Sequence, residues 1–154
     1  MPITVRAATA HDHDFVVATS RRFAAFGPPP WRTAIEVVEG EVRCLDDYFD
    51  GRMPGCALLI AEQDGGRAGF AFVERHIDYF TQIEQAHLGM LAVAAAAQGT
   101  GAAAALLEAA EAWARSHGYA TMTLNVFEAN GRARAFYEKS GFRVETVRYT
   151  KPLA

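Results

Sequence analysis

The chain is short of cysteine, of positive charge and of long apolar runs. Its two cysteines, Cys44 and Cys56, stand in no metal-ligand spacing and no secretory context, so they read as reduced, buried small side chains, and no metal is expected. Lysine and arginine number 15 against 18 aspartates and glutamates, a formal net charge of −3, which gives no general attraction for nucleic acid or an anionic membrane surface. Any anion must therefore be bound locally. No apolar stretch reaches the length of a membrane span and the N-terminal residues lack a signal-peptide apolar core, so the expectation is a cytoplasmic protein without a membrane partner. Internal repeats and long linkers are missing too, and 154 residues that are 51% hydrophobic fit one packed domain over 1–154.

What is present alternates between strand and helix periods. Residues 3–6 alternate as a strand, and Thr9 to Asp12 offer capping side chains for a helix carrying Phe15, Thr19, Phe23 and Phe26 at helical spacing. Three prolines after Gly27 end that run, and Ile35, Val38, Val42, Leu45 and Phe49 mark one face of a second helix. Apolar runs at 57–61 and 68–73 flank Asp64-Gly65-Gly66 and predict an antiparallel hairpin. Residues 74–83 look like a loop, 87–93 like a strand, and 100–117 like a helix ended by Gly118, with Leu106, Leu107, Ala110 and Trp113 on one face. A strand at 121–126, a short helix from Asn130 to Ser140 and a last strand over 142–149 complete the order β-α-α-β-β-β-α-β-α-β. That order predicts an α/β (α+β) fold with a mixed central sheet.

Gln98-Gly99-Thr100-Gly101-Ala102-Ala103 joins a strand to a helix N-terminus. Unpaired amides and the helix dipole converge on such a turn, which suits a phosphate, and the glycines let the backbone approach it closely. A P-loop is absent, because alanines rather than Lys and Ser/Thr follow Gly101. Gly99-x-Gly101-x-x-Ala104 also matches a dinucleotide fingerprint. Against that reading, residues 94–98 separate the turn from its strand, no acidic residue lies at the expected distance beyond it, and too little chain follows for a doubly wound sheet.

Leu91-Ala92-Val93, four residues, then Gln98-x-x-Gly101-x-Ala103 resembles the acyl-CoA signature of the GNAT superfamily of N-acetyltransferases. Leu124-Asn125-Val126, Asn130, Ala133, Arg134 and Phe136-Tyr137-Glu138-Lys139-Ser140-Gly141-Phe142 resembles its second block. The two blocks run from about residue 86 to 149; before them only the order of elements matches. The resemblance implies a sheet of six or seven strands, splayed between 86–93 and 121–126, and acetyl-CoA as cosubstrate without a metal. By position, the amides of Gln98, Gly99, Thr100, Gly101, Ala102 and Ala103 would bind pyrophosphate, the strand through Leu91, Ala92 and Val93 would pair with the pantetheine arm, and that arm would enter beside Asn125 and Asn130. Gln98 departs from the commoner arginine, which removes a cation from the pyrophosphate.

The implied reaction is direct acetyl transfer to a primary amine of a small molecule or peptide, with Tyr137 donating to the leaving sulfur. An amine of pKa ~10.4 must lose a proton first. His87 is the first candidate base, with Glu84 or water as alternatives. The acidic and aromatic stretch 74–84, together with the turn 27–32 and its Trp31, should border the acceptor and favour a cationic amine. A homodimer is compatible with the sequence. The competing function is a non-catalytic acyl-CoA-binding or sensor module.

Overall fold

A computed structural model describes residues 2–154 of the protein. Five strands form one sheet in the order β1 (Thr4–Ala7), β2 (Ala57–Gln63), β3 (Gly66–Ile77), β4 (Glu84–Val93) and β5 (Met122–Leu124). Neighbours run antiparallel except β4 and β5, which are parallel. The helices α1 (His13–Thr19) and α2 (Ala34–Phe49) lie between β1 and β2, α3 (Ala102–Ser116) lies between β4 and β5, and α4 (Gly131–Lys139) follows β5. Among the described residues no helix is long and apolar enough to cross a membrane.

The middle strands read as apolar runs because both their faces are covered. Val16 of α1 and Leu45 of α2 pack with Leu58, Ile60, Phe70, Phe72 and Met90 on one face. Leu106, Leu107 and Ala110 of α3 pack with Ala71, Val73 and Leu88 on the other, where Phe136 and Tyr137 of α4 also lie. The β2–β3 turn is Asp64-Gly65, with φ of 52° and 78°, the positive values that a two-residue type I′ hairpin demands. Helix α2 starts at Thr33, whose side chain accepts from the Glu36 amide while the Glu36 carboxylate accepts from the Thr33 amide. Asp12 is fully buried and anchors the start of α1: Arg6 on β1 and Arg67 on β3 both hold its carboxylate, and Arg6 also reaches Glu62.

Several sequence expectations need correction. The sheet has five strands, not six or seven, because residues 142–154 form neither helix nor strand. Phe142 and Val144 share one parity while Val147 and Tyr149 share the other, so no single face of a strand there gathers the apolar side chains. Val144, Val147 and Tyr149 are accordingly exposed. The expected loop at 74–83 is strand over its first four residues: β3 runs to Ile77 and β4 starts at Glu84, joined by a connection over 78–83 in which the Asp78 amide donates to the Ile83 carbonyl. Cross-strand pairing there overrides the polar composition. The first helix stops at Thr19 and continues as a 3₁₀ segment, Ser20–Ala24.

Candidate active site

The parallel pairing of β4 with β5 covers only Ala86 with Met122, His87 with Thr123 and Leu88 with Leu124. The ladder ends there because β5 stops at Leu124. Leu91, Ala92 and Val93 remain paired with β3, through Ala71, Phe70 and Gly69, and among the described residues no strand lies on their other side. Their second edge is free to pair with an extended chain. Asn125 is exposed just past β5, and Asn130 caps α4 by accepting from the Ala133 amide at 3.3 Å.

At the end of this cleft the chain turns into α3. Gly101 caps the helix with φ +91°, and no side chain caps it in the usual way. The amides of Gly99, Gly101, Ala102 and Ala103 have no acceptor among the described residues, whereas those of Gln98 and Thr100 make long bonds of 3.4 and 3.3 Å to Ala95 and Ala97. Four orphan amides at a helix N-terminus form an anion site. The sequence reading missed Arg132, the second residue of α4, whose guanidinium lies 3.4 Å from Gln98 Oε1 and restores a cation beside the turn. Its distance of 34 residues from Gln98 hid it. Arg21 and Arg22 add further positive charge, lining a cavity of about 400 Å³ with Ala94 and Ala95.

Tyr137 is packed between Phe136 and Phe142, with ring centroids at 5.3 and 5.8 Å. Burial pushes its phenol up to about 12. The hydroxyl has no hydrogen-bond partner among the described residues, yet it is not one of the polar atoms sealed from solvent. It stays protonated and available.

His87 lies on the opposite face, 7% exposed, with Nδ1 2.8 Å from Thr123 Oγ1 and its ring stacked on His76 at 4.1 Å. Burial, and then the charge of His76, pull its pKa down to about 4, so the imidazole is neutral at physiological pH. Glu84 is not brought to it. Residues three apart on a strand face opposite ways, and Glu84 sits at the exposed rim paired with Arg75 at 3.3 Å. Instead Glu74, directly across from His87, is the nearby carboxylate. Glu41 of α2 lies close enough to feel Glu74; burial and that charge push it up to about 7, and burial raises Glu74 as well. Neither was singled out from the sequence, since their meeting depends on how α2 crosses β3.

A family model described as the Acetyltransferase (GNAT) family matches residues 24–142. A Mycobacterium bovis protein named as an uncharacterized N-acetyltransferase is 36% identical over 95 residues, covering 62% of this chain and 58% of the relative. The match therefore spans little more than half the length of that relative. A solved Pyrococcus furiosus structure superposes with a TM-score of 0.79 at 19% identity, over 99% of this chain and 100% of the other. The aminoglycoside N-acetyltransferase AAC(6')-Iy in complex with CoA gives 0.74 at 17% identity, over 99% and 96%. At such identities these structures show a shared fold.

Proposed function

The chain belongs to the acetyltransferase (GNAT) family, and from that premise we propose that it moves an acetyl group from acetyl-CoA directly to a primary amine. The observation that carries this reading is the edge of β4 left without a strand partner beyond Leu88, which leads to four acceptorless amides at the start of α3. The amides of Gly99, Gly101, Ala102 and Ala103, with Arg132, hold the pyrophosphate. The free edge of Leu91 to Val93 pairs with the pantetheine arm, and Asn125 and Asn130 border its entry.

The chemistry divides between the two faces. Water takes the first proton of the ammonium form, and as the free amine's nitrogen bonds to the thioester carbon and turns acidic, His87, neutral and fixed by Thr123, takes the second. As the carbon–sulfur bond breaks, Tyr137 donates its proton to the departing sulfur, and the proton taken by His87 returns through water to the Tyr137 oxygen. Glu84, paired with Arg75 on the other face of the sheet, has no part in this scheme. The thiols are not nucleophiles in this scheme: burial pushes Cys44 up to about 12 and raises Cys56, leaving both protonated. The half-buried carboxylates Glu74 and Glu41 favour a cationic acceptor, and an aminoglycoside-like polyamine or a peptide N-terminus fits that chemistry.

The alternative, an acyl-CoA-binding module without catalysis, needs no neutral buried imidazole and no partnerless buried phenol. Melting curves with acetyl-CoA, CoA and NAD in parallel test the donor site. Acetyl-CoA and CoA should each raise the melting temperature while NAD leaves it unchanged; a shift with NAD alone would overturn the reading.

A further inference from the structure

Residues two apart on a strand share a face, and the residue directly opposite on the neighbouring strand joins them. Glu74 and His76 on β3, with His87 opposite Glu74 on β4, form such a trio, and one ligand atom from each lies within 4.8 Å of the others. We propose that Glu74, His76 and His87 bind one divalent transition-metal ion, of which zinc is the type, on the acceptor side of the sheet. Two imidazoles and a carboxylate are a borderline-soft donor set that suits zinc and leaves a fourth coordination position open.

Three features of the surroundings serve such a site. Thr123 Oγ1, 2.8 Å from His87 Nδ1, fixes that ring; when Nδ1 donates to it, Nε2 carries the free lone pair. Gly89, at the bulge in β4, makes room for the Glu74 carboxylate: a Cβ at this position would collide with Glu74 Oε2. Finally, no lysine or arginine pairs with Glu74 or Glu41 among the described residues, and the basic groups beside Glu74 are the two imidazoles of the trio, with His76 Nε2 at 3.9 Å. The pocket presents negative charge without a resident cation.

Metal bonds of ~2.1 Å in a tetrahedron set ligand atoms roughly 3.4 Å apart, so no pair in the trio need close by more than about 1.4 Å. His76 supplies the movement. Its ring is nearly parallel to that of His87, 8° between planes, and parallel lone pairs do not converge, so it must turn out of the stack. Its side chain is 45% exposed and has space to turn. Once bound, the ion takes the lone pair of His87 and the open side of Glu74. It therefore competes with the amine and blocks transfer. That consequence rests on the acetyltransferase reading; the binding itself does not.

The test is calorimetric titration of chelator-treated full-length protein with zinc chloride, repeated with cobalt chloride while the visible absorption bands of the bound ion are recorded. The expected result is one saturable equivalent, weakened more than 10-fold by His76→Ala and roughly 10-fold by Thr123→Val, the usual scale for losing a ligand's orienting partner. His76→Ala is the deciding variant because its site is half-exposed, and its circular dichroism should match the parent. The rival imidazole–carboxylate contact, His13 Nε2 to Asp46 Oδ1 at 2.8 Å, would survive that substitution. Zinc affinity equal in His76→Ala and parent, or no saturable binding in the parent, overturns the proposal. In acetyl transfer, zinc should raise the KM of the amine and leave that of acetyl-CoA unchanged, and His76→Ala should need at least 10 times more zinc for the same effect. Absence of any transfer would count against the proposed function, and the calorimetry would still decide the metal site.

Discussion

Replacing Tyr137 by phenylalanine removes one oxygen from a ring held between Phe136 and Phe142 and leaves those contacts in place. The hydroxyl has no partner within the described residues, so no folding hydrogen bond is lost, and stability should stay within about 0.5 kcal/mol of the parent. Catalysis should respond differently. With its pKa pushed up to about 12, the phenol is protonated at every working pH, and no basic limb from it should appear below about pH 10. Loss of a general acid typically lowers the rate by about 10²-fold, or about 2.7 kcal/mol of transition-state stabilisation. The assay is kcat at saturating amine and acetyl-CoA, with single-turnover rates confirming that chemistry is limiting, alongside acetyl-CoA affinity by calorimetry. A parent-like kcat would show that another group protonates the sulfur. A fall in kcat accompanied by weaker acetyl-CoA binding would refute a role for the hydroxyl at the leaving group alone.

Gly101→Asp puts a side chain at φ +91° and a carboxylate beside four acceptorless amides; acetyl-CoA binding should be lost in calorimetry while circular dichroism stays native. Arg132→Ala should raise the KM of acetyl-CoA roughly 10-fold with kcat unchanged, since it removes a cation near the turn and nothing at the reacting atoms. For His87, whose pKa is depressed to about 4, the neutral form persists down to about that pH. An imidazole titration followed by NMR should inflect near 4, and an inflection near the ordinary ~6.5 would contradict its burial. His87→Ala should lower kcat/KM without changing acetyl-CoA affinity. Asp12→Asn should cost about 2 kcal/mol at pH 7, because Arg6 and Arg67 lose a charged acceptor but can turn to water. Hydrogen bonding, chiefly from Arg6, holds the Asp12 carboxyl well below the usual range. Its contribution is therefore complete above ~3.9 and disappears only as pH falls further, so the gap between variant and parent in urea unfolding should narrow below about pH 4.

Local signals carried much of this architecture. The turn at Gly99 and Gly101, the face of α3 and the Asp64-Gly65 hairpin each depend on residues close in sequence, and each stands where its pattern put it. The short β4–β5 ladder lies within the two matched blocks. What stayed hidden depends on tertiary crossings. Glu41 reaches Glu74 because α2 lies over β3, and Arg132 reaches Gln98 because α4 returns to the end of β4. The trio of Glu74, His76 and His87 was concealed by the reading of 74–83 as a loop: once β3 extends to Ile77, the i, i+2 spacing and the cross-strand pairing follow. Glu84 was a reasonable candidate by proximity in sequence, but strand alternation sends it to the other side of the sheet from His87.

Acetyl transfer to an amine can be read directly from a panel of primary amines, including polyamines, aminoglycosides and peptides with free N-termini, incubated with radiolabelled acetyl-CoA and the enzyme. Free CoA thiol and labelled amide are counted together. CoA release should depend on a cationic amine and be matched one for one by labelled amide, with no label retained on Cys44 or Cys56. Tight acetyl-CoA binding without labelled amide from any acceptor, or label trapped on either cysteine, would contradict direct transfer.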